Sequence, residues 1–212
     1  MNVLQMTSPS LKLLLFSDLH ANTRAAEALA RRASDFDIVI GAGDFGNARR
    51  DLRVTIDILK SIDHPSILVA GNNESTEELR DACQDWPSAT VLHGNSVKVN
   101  GVRFFGLGGG VPVTPFGDWS YDLTEEQAAN LLADCPERSV LISHSPPKGA
   151  VDVSSQGKSL GSTAVRDAIV RTSPLLVVCG HIHACAGRRE MLGATPVVNA
   201  GPNGVEWALD RV

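Results

Sequence analysis

A chain of 212 residues with 43% apolar and 20% charged side chains has material for a full-sized core and is too apolar to stay disordered. Its 19 basic and 24 acidic residues give a formal charge of -5. That excludes a molecule-wide attraction to nucleic acid or to an anionic membrane. The apolar stretch at residues 11–16 is too short for a signal-peptide core and has no basic leader, and no run approaches the length that spans a bilayer. Cys83, Cys135, Cys179 and Cys185 are scattered with no Cys-x-x-Cys pair, so they read as small buried hydrophobes or incidental thiols. The expected setting is the cytoplasm, and the expected organisation is a single domain over residues 1–212.

The first third alternates apolar runs with helix-period segments: LKLLLF, residues 22–34, DIVIG, residues 51–62, and SILVA. This predicts a β-α-β-α-β order with parallel strands and right-handed crossovers. In the second helix Leu52, Ile56 and Leu59 share one face. Ser75-Thr-Glu-Glu78 matches a capping box and predicts a third helix start. Over residues 89–107 the runs ATVL, SVKV and VRFFGL, with turn signals at His93-Gly-Asn95 and Asn100-Gly101, predict antiparallel hairpins.

Residues 106–121, rich in Gly and Pro, predict an irregular surface loop, with Gly108-Gly-Gly110 as a flexible rim and no P-loop Lys after it. Thr124-Glu-Glu-Gln127 is a second capping box, opening a helix to about Ala133. SVLIS, a loop to about Ser162, a helical stretch through Val170 and LLVVCG form another strand-helix-strand unit. Short strands are expected near Arg189, Val197 and Trp207.

Oxygen and nitrogen donors follow the strand runs with a common rule. LLLFS leads into Asp18-Leu-His20, DIVIGAG into Asp44, SILVAG into Asn72-Asn73-Glu74, SVLIS into His144, and LLVVCG into His181-Ile-His183. Ligands of open α/β sheets bind outside the carboxyl ends of strands, so these five loops are expected on one rim. An Asp-x-His or His-x-His pair can aim both side chains at one point only where the backbone leaves regular pleating. Carboxylate, carboxamide and imidazole donors without thiolate suit manganese, iron, zinc, cobalt or nickel. Seven donors exceed what one ion with an open position takes, so two ions sharing a carboxylate is the economical arrangement.

At these residues the chain resembles the calcineurin-like metallophosphoesterases, whose signature runs Asp-x-His, Gly-Asp, Gly-Asn-His-Asp/Glu, a later His, and Gly-His-x-His. The matching residues are Asp18-Leu-His20, Gly43-Asp44, Gly71-Asn72-Asn73-Glu74, His144 and Gly180-His181-Ile-His183. The resemblance implies a four-layer αββα sandwich of two mixed sheets flanked by helices. It also implies two divalent cations, manganese foremost, with Asp18, His20 and His183 on one, Asn72, His144 and His181 on the other, and Asp44 bridging. The implied reaction is hydrolysis of a small-molecule phosphoester by a metal-bridging hydroxide, with Asp44, Asn72 and Asn73 at the reacting centre and Asn72 donating amide hydrogens to a phosphoryl oxygen.

Asn73 departs from the family pattern, which places a proton-donating His there, and an amide cannot give up a proton at neutral pH. Relatives without that His favour phosphodiesters or activated esters over alkyl phosphomonoesters, and the same preference is expected here. Glu74 has two readings, orienting Asn73 or serving as a helix-start acid. The alternatives to a phosphodiesterase are a non-catalytic metal-binding interaction module of the same fold and a protein phosphatase. A nuclease would need basic surface that the chain lacks. His64, His93, Arg49-Arg50 and Arg188-Arg189 read as structural or solvated. Trp119 and Tyr121 read either as a stacking surface for an aromatic leaving group or as loop packing, and Asn199-Ala-Gly-Pro202 as a structural turn near the metals.

Overall fold

The computed structural model describes residues 10–210. Its first sheet contains β1 (Leu11–Phe16), β2 (Ile38–Ala42), β3 (Ser66–Val69), β4 (Ala89–Val91) and β11 (Val205–Leu209), in the order β11-β1-β2-β3-β4. The second contains β5 (Asn95–Val99), β6 (Val102–Leu107), β7 (Val140–Ser143), β8 (Leu176–Cys179), β9 (Arg189–Leu192) and β10 (Thr195–Asn199), in the order β5-β6-β7-β8-β10-β9. The central strands β1, β2 and β3 pair in parallel, as do β6, β7 and β8, while β11 and β5 add antiparallel edges.

The period of two along each strand sets the layers. Leu11, Leu13, Leu15, Ile38 and Ile40 of the first sheet meet Phe104, Val140, Ile142 and Val178 of the second in a core between the sheets. The alternate residues Leu14, Phe16, Val39 and Leu68 face outward onto α1 (Thr23–Arg32), α2 (Leu52–Leu59) and α3 (Thr76–Ala82). On the far side Phe105, Leu141 and Val177 pack against α4 (Glu125–Leu132) and α5 (Thr163–Thr172). The result is the four-layer αββα sandwich. Strands covered on both faces read as continuous apolar runs rather than alternating ones, as they do here.

The helix ends follow their sequence signals. Asn22 caps α1 by accepting from the Ala25 amide, and both capping boxes form, Ser75 with Glu78 and Thr124 with Gln127. The α5 N-terminus is filled from within: the Glu125 carboxylate accepts from the Thr163 and Ala164 amides and from the Ser162 hydroxyl.

Two expectations are corrected. Asn100-Gly101 does turn the β5-β6 hairpin, with φ of 50° and 86° as the mirror-image turn requires. His93-Gly94 does not make a hairpin, because β4 pairs in parallel with β3 and the chain then crosses to the second sheet. Leu92, buried between the sheets, explains the difference: its amide donates to Leu68 of one sheet, and the Gly94 amide donates to Gly106 of the other. The second correction concerns Gly108-Gly-Gly110, which is buried rather than a rim. The amides of Gly109 and Gly110 donate to the carbonyls of Ala70 and Tyr121.

Among the described residues, no helix is long and apolar enough to cross a membrane. The four cysteines are buried and unpaired. Phe104 sits fully buried between the sheets. Phe104→Ala is expected to cost about 3–5 kcal/mol, read as a lower midpoint in urea denaturation with an unchanged slope.

Candidate metal centre

The five predicted loops do meet at the carboxyl ends of their strands. Asp18 and His20 follow β1, Asp44 follows β2, Asn72 follows β3, His144 follows β7, and His181 and His183 follow β8. The first four residues come from one sheet and the last three from the other, so the site lies on the seam between them. The departure from regular pleating is visible in the backbone: Asp18, His20, Asp44 and His181 have φ of 56°, 46°, 59° and 66°. Left-handed backbone costs a non-glycine residue roughly 1–2 kcal/mol. Four of seven donors carry that strain, a pattern found where surrounding contacts over-determine a functional geometry.

The donors form two groups that share Asp44. In the first, donor atoms of Asp18, His20, Asp44 and His183 all lie within 4.8 Å of one another. His20 Nε2 is 3.0 Å from His183 Nε2 and 3.6 Å from Asp44 Oδ2, and His183 Nε2 is 3.7 Å from Asp18 Oδ1. In the second, His144 Nε2 is 3.5 Å from Asp44 Oδ1 and 3.2 Å from Asn72 Oδ1, and His181 Nδ1 is 3.1 Å from the same Asn72 oxygen. The two oxygens of Asp44 thus face different groups. Imidazole nitrogens and carboxylate and carboxamide oxygens converge on each group with no thiolate among them, so the donor set fits divalent metal.

Second contacts fix each donor. His144 Nδ1 donates to the Ala42 carbonyl at 2.7 Å, which turns Nε2 toward Asp44 and Asn72. Asn72 Nδ2 donates to the Ser120 hydroxyl, which in turn donates to Asp122, so Oδ1 is turned toward the histidines. One of the two Asn72 amide hydrogens expected to serve a phosphoryl oxygen is therefore engaged by Ser120. Asp18 accepts from the Ser17 hydroxyl and from the His181 amide. Asn199 Nδ2 donates to the carbonyls of Gly180 and Ile182 and so shapes the loop that carries His181. Ser17, Ser120 and Asn199 carry no ligand signal of their own in the sequence, although the turn at Asn199 reads there as structural.

Glu74 takes neither of its expected roles. Ser75 is the cap of α3, so Glu74 lies before the helix, and its carboxylate does not touch Asn73. It is buried and accepts from the amides of Asp44, Phe45 and Gly71 on one oxygen and Gly46 on the other, clamping the β2 loop to the β3 loop. Gly71 lets the two loops touch, since a methyl there would overlap Asp44 Oδ1. Asn73 is spent inside the protein as well. Its Nδ2 donates to Asp44 Oδ2 at 2.6 Å, its backbone amide donates to Asp44 Oδ1, and its Oδ1 accepts from the Ala48 amide.

Burial and neighbouring charge set the protonation states. Burial lowers His181 to about 4, with His144 beside it adding to the effect, so it is a neutral imidazole at pH 7. Burial also lowers His20, against the pull of Asp44 and Asp18. For His144 burial opposes the charge, but the carboxylates of Asp44 and Asp18 carry it above its ordinary value. Asp44 is likewise penalised by burial and yet held below the usual carboxylate range by His144 and His20. Burial, and then Asp44, push Glu74 up to about 7.

A cleft of about 410 Å³ opens beside the shared carboxylate, lined by His20, Asp44, Asn72, Asn73, His181 and His183 together with Phe116, Trp119 and Leu160. Among the described residues, no Lys or Arg lines it. Arg49 and Arg50 lie outside it, Arg49 paired with Glu78 at 3.0 Å, and Arg189 lies over the Trp207 ring. His93 is half-buried against Tyr121 and accepts from the Gly108 amide. Tyr121 itself packs into the outer core and does not line the cleft, whereas Trp119 does.

A family model for the calcineurin-like phosphoesterase superfamily domain matches residues 11–210. No curated protein matches the chain significantly. Among solved structures, the chain is similar to TT1561 of Thermus thermophilus, at 20% identity and a TM-score of 0.74, over 94% of this chain and 99% of that one. It is also similar to a dimetal phosphatase from Danio rerio (15%, TM-score 0.59, 91% and 87% covered). The third is the phosphopantetheinyl hydrolase of Mycobacterium tuberculosis (15%, TM-score 0.59, 91% and 89% covered).

Because four backbone amides depend on one carboxylate, Glu74→Ala is expected to destabilise the protein by about 3–5 kcal/mol. It should also lower the metal retained after dialysis, measured by elemental analysis. Unchanged stability would show that water replaces the clamp.

Proposed function

The chain belongs to the calcineurin-like phosphoesterase superfamily, and from that premise we propose that it is a phosphodiesterase working with two divalent cations, manganese foremost. Asp18, His20, His183 and Asp44 Oδ2 would hold one cation, and Asn72, His144, His181 and Asp44 Oδ1 the other. Bound there, the two cations would acidify a water and neutralise charge growing on the phosphoryl oxygens. The remaining chemistry belongs to the chain. The Asp44 carboxylate, fixed by Asn73 and by the Glu74 clamp beneath its loop, sets the spacing of the two groups. Asn72 is oriented by Ser120 so that its oxygen faces His144 and His181.

The observation that carries the diester reading is Asn73. It stands at the position where the family pattern has the proton-donating His, and both ends of its amide are already engaged, with Asp44 and with Ala48. It is a positioning residue and supplies no acid. Esters whose leaving groups depart without protonation are then the better substrates. The lining of the cleft supports the same reading. A monoester carries nearly two charges at neutral pH and a diester one, and among the described residues no Lys or Arg lines the cleft to meet the second. The diester's extra organic group has the Phe116, Trp119 and Leu160 wall to lie against. Four buried, unpaired cysteines suit a reducing compartment, so we place the protein in the cytoplasm.

Two esters with one leaving group test this. Manganese-loaded protein is expected to favour bis(p-nitrophenyl) phosphate over p-nitrophenyl phosphate by about tenfold or more in kcat/KM. A monoester preference overturns the proposal, and an inactive protein that holds no metal supports a non-catalytic module instead. Asn73→His restores a proton donor, and is expected to raise kcat/KM for an alkyl phosphomonoester by roughly 10–100-fold. A substitution that gains nothing on the alkyl ester would place the proton source elsewhere.

A further inference from the structure

We propose that the Phe116–Trp119 pair is a stacking platform for the base of a nucleoside phosphodiester, a substrate class that rests on the phosphodiesterase reading above. The remaining phenylalanines, Phe16, Phe36, Phe45, Phe104 and Phe105, are all buried, whereas Phe116 is 52% exposed and Trp119 37%. Neither ring belongs to any of the three core clusters. They pack on each other instead, with centroids 5.7 Å apart and planes 17° from parallel, so the outer face of the stack is the flat surface left for a ligand. That surface lines the same cleft as Asp44, Asn72 and His181. A phosphorus held at the donor cluster therefore has its organic substituent within reach of the rings.

The chemistry around the platform narrows the occupant. An acyl chain gains equally from any apolar wall and needs no plane, while a heteroaromatic base gains from a flat ring and has polar edges to satisfy. Exposed Asn47 and Ser155 line the cleft with the rings and offer an amide and a hydroxyl to such edges. Among the described residues no Lys or Arg lines the cleft, and with a chain charge of -5 the cleft offers no cationic track for a polyanionic backbone. The substrate is accordingly a nucleotide-sized diester and not a nucleic-acid strand.

The test uses three diesters that release p-nitrophenolate and carry a nucleoside 5′-group, a methyl group or a hexyl group. Manganese-loaded wild type is expected to favour the nucleoside ester over the methyl ester by about tenfold, and Trp119→Ala to erase most of that ratio, chiefly through KM. Quenching of the tryptophan fluorescence by nucleoside 5′-monophosphate, expected in wild type and lost in Trp119→Ala, gives a reading independent of turnover, and Phe116→Ala should weaken it. Equal turnover of nucleoside and methyl esters, an equal loss on both in Trp119→Ala, or a preference for hexyl overturns the platform while leaving the phosphodiesterase reading intact. Failure to turn over any of the three removes both.

Discussion

Asp44 is the point on which the two halves of the donor set depend. One oxygen faces His20 and the other faces His144. The backbone at this residue is left-handed, and its side chain is nearly inaccessible to water. A buried carboxylate in strained backbone is costly on both counts. The cost is met locally. Asn73 donates twice to the carboxylate, Glu74 receives the amides of the loop that carries it, and Gly71 gives up its side chain so that the loops can touch. The Gly71-Asn72-Asn73-Glu74 segment therefore does more building than ligating, since Asn72 alone among the four offers an atom to the donor cluster.

Much of the architecture was legible in the sequence because burial on both faces leaves a strong mark. LKLLLF, DIVIG, SVLIS and LLVVCG could scarcely be anything but central strands, and the capping boxes at Ser75 and Thr124 fixed where two helices begin. The seven candidate donors were legible for a related reason, each standing just past such a strand. Resemblance to the family supplied what spacing could not: the sharing of Asp44, and the significance of Asn in place of His at position 73.

What escaped was decided by contacts between distant segments. His93-Gly94 carries a turn signal, but Leu92 belongs to the core between the sheets, and that long-range burial turned a reversal into a crossing. Gly108 to Gly110 look like slack until Ala70 and Tyr121 are found pressed against them. Glu74 reads as a helix-start acid in one dimension, and only the approach of the Asp44 loop gives its carboxylate four amides to hold.

The spread of the donors along the chain, from Asp18 to His183, bears on how the protein matures. No subset emerging early from a ribosome contains a complete group, since even the first one needs His183 from the far sheet. Nascent chain lengths short of that residue would offer a cation only partial ligation, so a complete set of donors belongs to the finished fold alone.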